Sequence, residues 1–342
     1  MSKVVALIDG DSIAYRAAAA VEKTKYLCTK VLDLTEPPDM VYPENWKETR
    51  EWDEKGYFTW SRREVGTLEE AKTICDSFVR KIRENTSNDY SLFLTPTSGN
   101  FRDSLAKHTR YKGSRDGVVR PIYLADIREY LCDTHSGVVV TGHEAEDEVS
   151  IEACKLGQDN YIIVGNDKDL LQIPGRHYNW VKDESFDVTP LEAWDALWMQ
   201  VLMGDRVDNI PGCWGMGFQK AKNRVVQWNA HKEFMIEIVH AEYEKSKKVK
   251  GCPYKDESEE DTYRRVYETY WLVKLKEYAD EAPWYPKIKN KKTVVVDGKT
   301  KASGDTDTSS SARSATDSAQ SKPITAQQQT NPALANGATG SE

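Results

Sequence analysis

Short apolar runs alternate with stretches of helical periodicity along much of the chain. Four apolar or β-branched segments predict strands: residues 4–8, 91–94, 137–141 and 161–164. Four stretches with apolar side chains at helical spacing predict helices: residues 13–21, 68–85, 122–132 and 144–156. Because strands that alternate with helices usually form parallel sheets covered by helices, the pattern predicts an α/β fold with a central, mainly parallel sheet flanked by helices.

The remaining segments suggest how the chain is divided. Residues 35–66 are polar, aromatic and proline-bearing without a helical period, and we expect an insertion with a hairpin there. Residues 194–203 and 234–275 contain further amphipathic helix. Beyond about residue 291 the composition shifts to Ser, Thr, Ala, Gln, Gly and Asn, with almost no large apolar residue after Val296. We therefore predict an α/β domain over 1–190, a helical region over 191–290 and a disordered low-complexity tail over 291–342, which cannot bury enough apolar surface to fold.

The composition is that of a globular protein, with 30% charged and 39% hydrophobic residues. No apolar run approaches the roughly 20 residues of a membrane span. Met1-Ser2-Lys3 leads directly into a strand, so we expect no signal peptide and a cytoplasmic location. The six cysteines lie far apart without a C-x-x-C pair, which is typical of reduced cysteines and not of a zinc site or a disulfide framework.

The net charge of −8 hides one basic segment. Between Arg80 and Arg120, nine Lys or Arg residues stand against four acidic residues, a local balance of +5. A charge distribution of this kind can steer a polyanion to one face of a protein while carboxylates elsewhere bind cations. An acidic net charge therefore does not exclude nucleic acid as a partner.

Two carboxylates, Asp167 and Asp169, follow the predicted strand of residues 161–164, which Gly165 ends. In an open α/β sheet, ligands lie outside the carboxyl ends of the strands. At about 5 Å and an effective dielectric constant of about 20, a pair of like charges costs about 3 kcal/mol. A site that collects carboxylates therefore needs a cation, and we interpret these two residues as half of a metal site.

Further carboxylates fall at strand ends or helix starts. Asp9 follows the first strand, Glu144 and Asp147 lie three residues apart at a helix start, and Asp205 and Asp208 precede a turn. Taken alone, the residues at the helix start are equally explained as caps, and Asp205 and Asp208 are better explained as a turn and a cap. Together, however, these carboxylates would meet at one edge of the sheet. Oxygen ligands without His or Cys favour Mg²⁺ or Mn²⁺. Two such ions about 4 Å apart promote phosphodiester hydrolysis, so the pattern predicts a two-metal nuclease.

Five motifs, in this order, resemble those of the 5′ nuclease superfamily, which includes flap endonucleases, the 5′ nuclease domain of bacterial DNA polymerase I and, closest, phage 5′–3′ exonucleases. The motifs are IDGD (8–11), FR…YKGSR (101–115), GHEAED (142–147), VGNDKDLLQI (164–173) and GDRVDNIPGCWGMGFQKA (204–221). The resemblance covers about residues 3–230. It implies a PIN-like catalytic domain, a helical arch over about residues 96–121 and a helix-hairpin-helix-type (H3TH) region that grips duplex DNA.

The resemblance implies two groups of metal ligands. The first group comprises Asp9, Glu144, Glu146 and Asp147, and the second comprises Asp167, Asp169, Asp205 and Asp208. Glu146 stands where the family usually has Asp, and Asp11 is expected only to cap the following helix. A larger departure lies after the second strand, where relatives carry a metal-binding Asp and this chain has Thr95-Pro96-Thr97-Ser98.

The resemblance also implies the residues that hold DNA. At the base of the arch, the residues expected to contact phosphate are Arg102, Lys112 and Arg115. Tyr111 is expected to stack on an unpaired terminal base. In the H3TH region, the expected duplex contacts are Gly212, Gly215, Gly217, Lys220, Lys222 and Arg224. A K⁺ ion in this hairpin is a further expectation. Contacts of this kind position a duplex without reading its sequence.

The sequence therefore favours a Mg²⁺-dependent 5′–3′ exonuclease and flap endonuclease, with Mn²⁺ as a substitute ion, acting in phage replication or DNA degradation. Its expected partner is duplex DNA with a 5′ end, nick or flap, and an RNA–DNA hybrid is an alternative substrate. Two other interpretations remain open. One is a non-catalytic, structure-specific DNA-binding protein, and the other is a haloacid-dehalogenase-type phosphatase that forms an aspartyl-phosphate at Asp9.

Overall fold

The computed structural model describes residues 4–30 and 41–283, so the tail predicted over 291–342 lies outside the described residues. The strands are β1 (Val5–Asp9), β2 (Glu22–Thr29), β3 (Phe58–Val65), β4 (Tyr90–Leu94), β5 (Val138–Val139), β6 (Tyr161–Val164), β7 (Gly175–Asn179), β8 (Glu184–Val188), β9 (Gly204–Asp205) and β10 (Ile210–Pro211). The α-helices are α1 (Gly10–Ala20), α2 (Trp46–Glu54), α3 (Leu68–Asn85), α4 (Phe101–Leu105), α5 (Leu124–His135), α6 (Ala145–Leu156), α7 (Pro190–Met203), α8 (Phe218–Trp228), α9 (Met235–Ser246) and α10 (Glu259–Val273).

A six-stranded sheet in the order β5-β4-β1-β6-β7-β8 forms the centre of the molecule. All neighbouring strands are parallel except β8, which is antiparallel to β7. Successive side chains of β1 point to opposite faces, so Ala6 and Ile8 pack with α1, α3 and α5, whereas Leu7 packs with α6. This arrangement confirms the predicted α/β fold with a mainly parallel sheet.

Two predicted helices coincide closely with observed ones. The prediction over 68–85 matches α3, which Thr67 and Glu70 begin with a capping box. The prediction over 144–156 matches α6, with Glu144 as its N-cap. A third helix, α7, begins four residues earlier than predicted, because Thr189 caps it and Pro190 occupies its first turn.

The segment predicted as an insertion contains both a hairpin and a helix. Strands β2 and β3 form a separate antiparallel ribbon, paired from Glu22 with Val65 to Thr29 with Phe58. Helix α2 lies between them in sequence and buries none of its residues. A helix without a buried face shows no apolar period, which explains why the sequence pattern did not predict it.

The segment 96–121, expected as a helical arch, contains two short helical pieces. These are α4 and a 3₁₀ turn over Gly113–Arg115. The Lys112 backbone N–H donates to the Asp208 carbonyl oxygen at 2.8 Å, and the Phe101 N–H donates to the Gly142 carbonyl oxygen at 3.0 Å. These hydrogen bonds hold the segment against the carboxyl edge of the sheet.

Helices α7 to α10 share one apolar core. Its fully buried members include Val201, Val225, Val239, Tyr243 and Val266. The described residues fall within one compact unit, so a boundary at residue 190 remains a prediction. All six cysteines are free thiols, as expected. Within the described part of the chain, no helix has the length and apolar character needed to cross a membrane.

Candidate metal centre

Neighbouring parallel strands end close to two carboxylates. Asp9 ends β1, and Asp167 follows β6 after a sharp turn. A Cβ atom at Gly165 would lie 2.3 Å from Leu170 Cδ1 and 3.7 Å from Asp9 Cβ, so a side chain there would displace Leu170. Asp167 lies close enough to Asp9 for its charge to raise the pKa of the Asp9 carboxyl group.

The first turn of α6 adds a third carboxylate to this pair. Burial raises the pKa of Asp9 to about 8, and the charges of Asp11 and Asp167 add to this effect. Burial also raises the pKa of Glu146 well above its ordinary value, with further contributions from Asp9, Glu144 and Asp167. We call Asp9, Glu146 and Asp167 the crowded group. Among the described residues, the ion pairs at this edge go to other carboxylates and not to these three.

A second cluster comprises Asp169, Asp205 and Asp208. One carboxylate oxygen from each residue lies within 4.8 Å of the others. Burial raises the pKa of Asp169 to about 7, and the charge of Asp167 adds to this. Lys168 forms an ion pair with Asp205 and supplies part of the balancing charge. We call these three residues the aspartate triad.

Three residues predicted to contact DNA lie directly against carboxylates. Lys112 forms an ion pair with Glu144, and its Nζ lies 3.8 Å from Asp208. The Tyr111 hydroxyl group lies 2.9 Å from Glu144 Oε2 and 3.1 Å from Asp208 Oδ2. Arg115 Nη2 donates to Asp208 Oδ1 at 2.5 Å. The structure therefore brings the base of the basic segment and the acidic edge of the sheet together.

Two of the predicted DNA contacts are not accessible in this conformation. Arg102 is only 2% exposed, and its guanidinium donates to Asp147 and to the carbonyl oxygens of Leu272 and Lys274, the last two at 2.9 Å. It cannot reach a phosphate without breaking these bonds. Tyr111 is 6% exposed, so its ring offers no face to a terminal base. We reassign both residues to holding the acidic site together.

Asp147, expected as a metal ligand, is likewise fully occupied by protein partners. Its oxygens accept from the Arg102 guanidinium and from the backbone N–H groups of Glu144 and Lys276, both at 3.0 Å. Burial raises the pKa of Asp147, but the charge and hydrogen bonds of Arg102 outweigh burial and leave it below its ordinary value. Asp147 therefore closes the capping box of α6 and pairs with Arg102.

Thr95 stands at the end of β4, where the resemblance leads one to expect a further carboxylate. Its N–H donates to Asp11 Oδ2 at 3.0 Å, and its hydroxyl oxygen accepts from the Ala145 N–H at 3.0 Å. Arg128 of α5 pairs with Asp11 and also donates to the Thr95 carbonyl oxygen. Asp9, and not Asp11 as expected, caps α1. Sequence reasoning missed Arg128, which lies in an ordinary amphipathic helix.

The glycines of the 204–221 motif have different structural roles. A Cβ atom at Gly212 would lie 2.2 Å from the Met203 carbonyl carbon, so this glycine allows two backbone segments to pack and not a phosphate to approach. Gly217 has no neighbouring atom within 4 Å of that position, and Gly215 adopts a φ of +73°. The basic side chains that follow are exposed on α8: Lys220, Lys222 and Arg224.

The donor set of the site fits a divalent cation. The crowded group and the aspartate triad offer only carboxylate oxygens, the ligands that Mg²⁺ and similar hard cations prefer. Burial raises the pKa values of Asp9 and Asp169, and the neighbouring carboxylates add to this effect, so the ionised forms are disfavoured at this edge. A bound cation would favour the ionised forms, so this edge of the sheet is suited to hold one.

No family model matches the chain. Over 136 residues it is 34% identical to DNA polymerase I of Borreliella burgdorferi, in an alignment that covers 34% of this chain and 15% of that protein. Over 110 residues it is 29% identical to a 5′-3′ exonuclease of Halalkalibacterium halodurans, covering 27% of this chain and 35% of that protein. The chain thus spans about a third or less of these relatives' length.

Among solved structures, that of the T5 5′-exonuclease with bound zinc ions is similar. The TM-score is 0.47 and the sequence identity 14%, over 79% of this chain and 89% of that chain.

The fold and the site define an α/β protein with carboxylates gathered at the carboxyl edge of a mainly parallel sheet. Its sequence relatives are named 5′-3′ exonuclease and DNA polymerase I, and this similarity supports a relationship to the 5′ nuclease superfamily.

Proposed function

We propose that this protein is a Mg²⁺-dependent 5′–3′ exonuclease and flap endonuclease, which hydrolyses DNA phosphodiesters at 5′ ends, nicks or flaps during replication or DNA degradation. One observation carries the proposal: carboxylates from β1, α6, the turn after β6 and the 204–208 turn converge beside Lys112 and Arg115. The names of the sequence relatives support the 5′–3′ direction. Mn²⁺ is the substitute ion, and an RNA–DNA hybrid is the alternative substrate.

The residues of the site divide the work of hydrolysis between metal binding and phosphate binding. Two divalent ions, when bound, would activate water and stabilise the leaving oxygen. The crowded group and the aspartate triad would hold them. Lys112 and Arg115 would turn from Glu144 and Asp208 to the phosphate, where Arg offers paired donors and Lys a compact charge. The Tyr111 hydroxyl group would keep Glu144 and Asp208 in position.

The 204–228 segment would hold the duplex next to the site. Gly215 and Gly217 leave backbone accessible before α8, and Lys220 and Lys222 extend from that helix into solvent. We propose that this segment acts as an H3TH motif with a K⁺ ion in its hairpin. Because its contacts would go to phosphates, Lys222→Ala should weaken binding equally for all sequences and reduce the salt slope by about one.

Incubation of the protein with end-labelled flap, nicked and blunt duplexes, in Mg²⁺ or in EDTA, tests the proposal. Asp205→Asn should reduce cleavage by about 100-fold or more. The matched control is Asp159→Asn, which changes an exposed aspartate outside both carboxylate clusters and should cleave as the wild type does. Equal products in Mg²⁺ and EDTA, or no product from any 5′-ended substrate, would contradict the proposal.

A second candidate is a non-catalytic protein that binds DNA structures. Thr95 favours it, because no carboxylate stands at the end of β4. This candidate predicts that the wild type binds flaps tightly but yields no product in Mg²⁺. The phosphatase interpretation is disfavoured, because Glu146 and Asp167 next to Asp9 would repel a phosphate at that residue.

A further inference from the structure

The β2–β3 ribbon carries aromatic and basic side chains on one face. The register places Lys25 opposite Arg62 and Leu27 opposite Trp60. Because side chains alternate along a strand, Phe58, Trp60 and Arg62 point to the same side at intervals of about 7 Å. Phe58 is 48% exposed and Trp60 is 38% exposed. Large aromatic side chains are therefore presented to solvent in a row that ends in a cation.

A third aromatic ring and further charges extend this surface. The Lys25 ammonium lies 4.8 Å from the ring centre of Tyr42, which is itself 45% exposed. Glu64 lies 2.9 Å from Arg62 and 3.7 Å from Lys25, and Lys23 stands directly opposite Glu64. On this face of the ribbon itself, three cations therefore stand against the single anion Glu64, so the ribbon contributes a surplus of positive charge. We call it the aromatic-basic face: Lys23, Lys25, Tyr42, Phe58, Trp60, Arg62 and Glu64.

The other side of the ribbon has a different character. Cys28 lies on that side, since its neighbour Leu27 points to the aromatic-basic face. The pKa of the Cys28 thiol is raised by burial and, in addition, by the charge of Asp53 from α2. Helix α2 has four acidic residues and two basic ones, and its Asp53 acts on Cys28, which lies on the side opposite the aromatic-basic face.

The ribbon is attached to the end of the basic segment. Arg63 Nη2 donates to the Arg120 carbonyl oxygen at 2.9 Å, and the Tyr123 hydroxyl group donates to the Gly66 carbonyl oxygen at 3.1 Å. Arg120 ends the segment that places Lys112 against the carboxylates. The ribbon is therefore fixed at its base to the part of the chain that lies at the candidate catalytic site.

We propose that the aromatic-basic face binds the unpaired 5′ strand of the substrate. Bases would stack on Tyr42, Phe58 and Trp60, while Lys25 and Arg62 neutralise phosphates. Stacking on aromatic rings tolerates any base, and a polyanion matches the positive surplus of the face. The inference rests on the proposed nuclease function, which supplies the substrate with an unpaired strand.

Binding in EDTA tests this proposal without cleavage. The full chain is titrated with duplexes whose 5′ oligothymidine overhang increases from none to about 20 nucleotides. The wild type should bind more tightly as the overhang lengthens, and Phe58→Ala/Trp60→Ala should lose about tenfold or more of that gain. Arg62→Glu should also lose it, whereas Trp60→Tyr should keep it. Tyr278→Ala, which removes a 62% exposed ring elsewhere, is the matched control and should bind as the wild type does.

Phe58→Ala/Trp60→Ala and Arg62→Glu should keep wild-type affinity for the blunt duplex. They should also cleave blunt ends in Mg²⁺ as the wild type does. Overhang binding equal to the wild type in both Phe58→Ala/Trp60→Ala and Arg62→Glu would overturn the proposal. An equal loss on blunt duplexes would also overturn it, because the face would then not be selective for the unpaired strand. A wild-type dimer that Phe58→Ala/Trp60→Ala converts to a monomer in light scattering, with unchanged overhang binding, would assign the face to a second copy. A wild type that cleaves no 5′-ended substrate refutes the proposed function separately.

Discussion

The acidic edge of the sheet balances its charges in two different ways. Glu144, Asp147 and Asp208 each have an internal cation, supplied by Lys112, Arg102 and Arg115 respectively, and we call them the paired group. The crowded group, in contrast, is held together by the surrounding fold, with burial and mutual repulsion raising the pKa values of Asp9 and Glu146.

The difference teaches that the buried Asp147–Arg102 pair supports the fold, whereas the crowded group depends on a ligand. A buried carboxylate with its own arginine becomes costly as soon as the arginine is lost. A buried carboxylate without a cation is costly until one arrives. Substitutions in the two groups should therefore change stability in opposite directions.

The largest change in stability is expected when Arg102 is substituted. Arg102→Met would leave the fully buried Asp147 carboxylate without its cation, and the free energy of unfolding should fall by about 3–5 kcal/mol. Arg115→Met, at a side chain that is 47% exposed, should cost less than about 1 kcal/mol. Urea denaturation in EDTA, followed by tryptophan fluorescence, measures both. A cost below about 1 kcal/mol for Arg102→Met would contradict the structural role of this pair.

A smaller loss of stability is expected when Glu268 of α10 is substituted. This residue holds the basic segment beside the paired group. It accepts from the N–H groups of Lys107 and His108, both at 2.9 Å, and lies 2.7 Å from His108 Nδ1. Burial raises the pKa of Glu268, but these hydrogen bonds outweigh it and lower the pKa below its ordinary value of 4.5. The stability they provide is therefore present above pH 4.5 and is lost as the pH falls further.

Glu268→Gln should cost about 1–3 kcal/mol near neutral pH and should flatten the acid side of the stability curve. Urea denaturation at a series of pH values compares the variant with the wild type. Glu260→Gln, at an exposed ion pair with Arg264, is the control and should leave the curve unchanged. If stability falls as steeply at low pH in Glu268→Gln as in the wild type, another group is responsible for the loss of stability in acid.

A gain in stability, and not a loss, is expected when Asp9 of the crowded group is substituted. Asp9→Asn removes one of the repelling charges yet keeps an N-cap acceptor for α1, so it should raise the free energy of unfolding in EDTA by about 0.5–2 kcal/mol. It should also reduce the increase in Tm that Mg²⁺ gives the wild type. Thermal unfolding with and without Mg²⁺ measures both effects. A variant less stable than the wild type in EDTA would show that crowding does not destabilise the site.

The smallest effect is expected at Arg128, which pairs with the half-exposed Asp11. Arg128→Met should cost less than about 1 kcal/mol of stability. It would leave an additional negative charge next to Asp9, so the Mg²⁺ concentration that gives half of the Tm increase should fall by about two- to fivefold. An unchanged Mg²⁺ midpoint would show that Asp11 does not act on the crowded group.

The centre of the fold could be predicted because its strands are continuous apolar runs. Strands β7 (GRHYN) and β8 (ESFDV) mix polar and apolar residues at one side of the sheet, and nothing in their composition separates them from loops. Helix α2 has no buried face and therefore no period. Sequence patterns report burial, so elements without a regularly buried side were missed.

The positions of the carboxylates followed from strand ends and helix starts, but their partners did not. Arg102 and Asp147 are 45 residues apart, and Arg128 and Asp11 are 117 residues apart. A basic residue in a basic segment is equally suited to meet a phosphate or a buried carboxylate, and only the three-dimensional fold decides between these roles. One signal was available: Arg102 lies between the apolar residues Phe101 and Leu105 of a short helix, an arrangement that favours burial.

The open space at Gly217 has a practical consequence for protein engineering. The Cβ atom of a cysteine there would meet no atom within 4 Å, in contrast to one at Gly212, where the Met203 backbone leaves no room. A fluorescent dye attached at position 217 would report on whatever covers this surface without disturbing the core. Such a labelled protein would give a direct optical signal of occupancy in solution, independent of product formation.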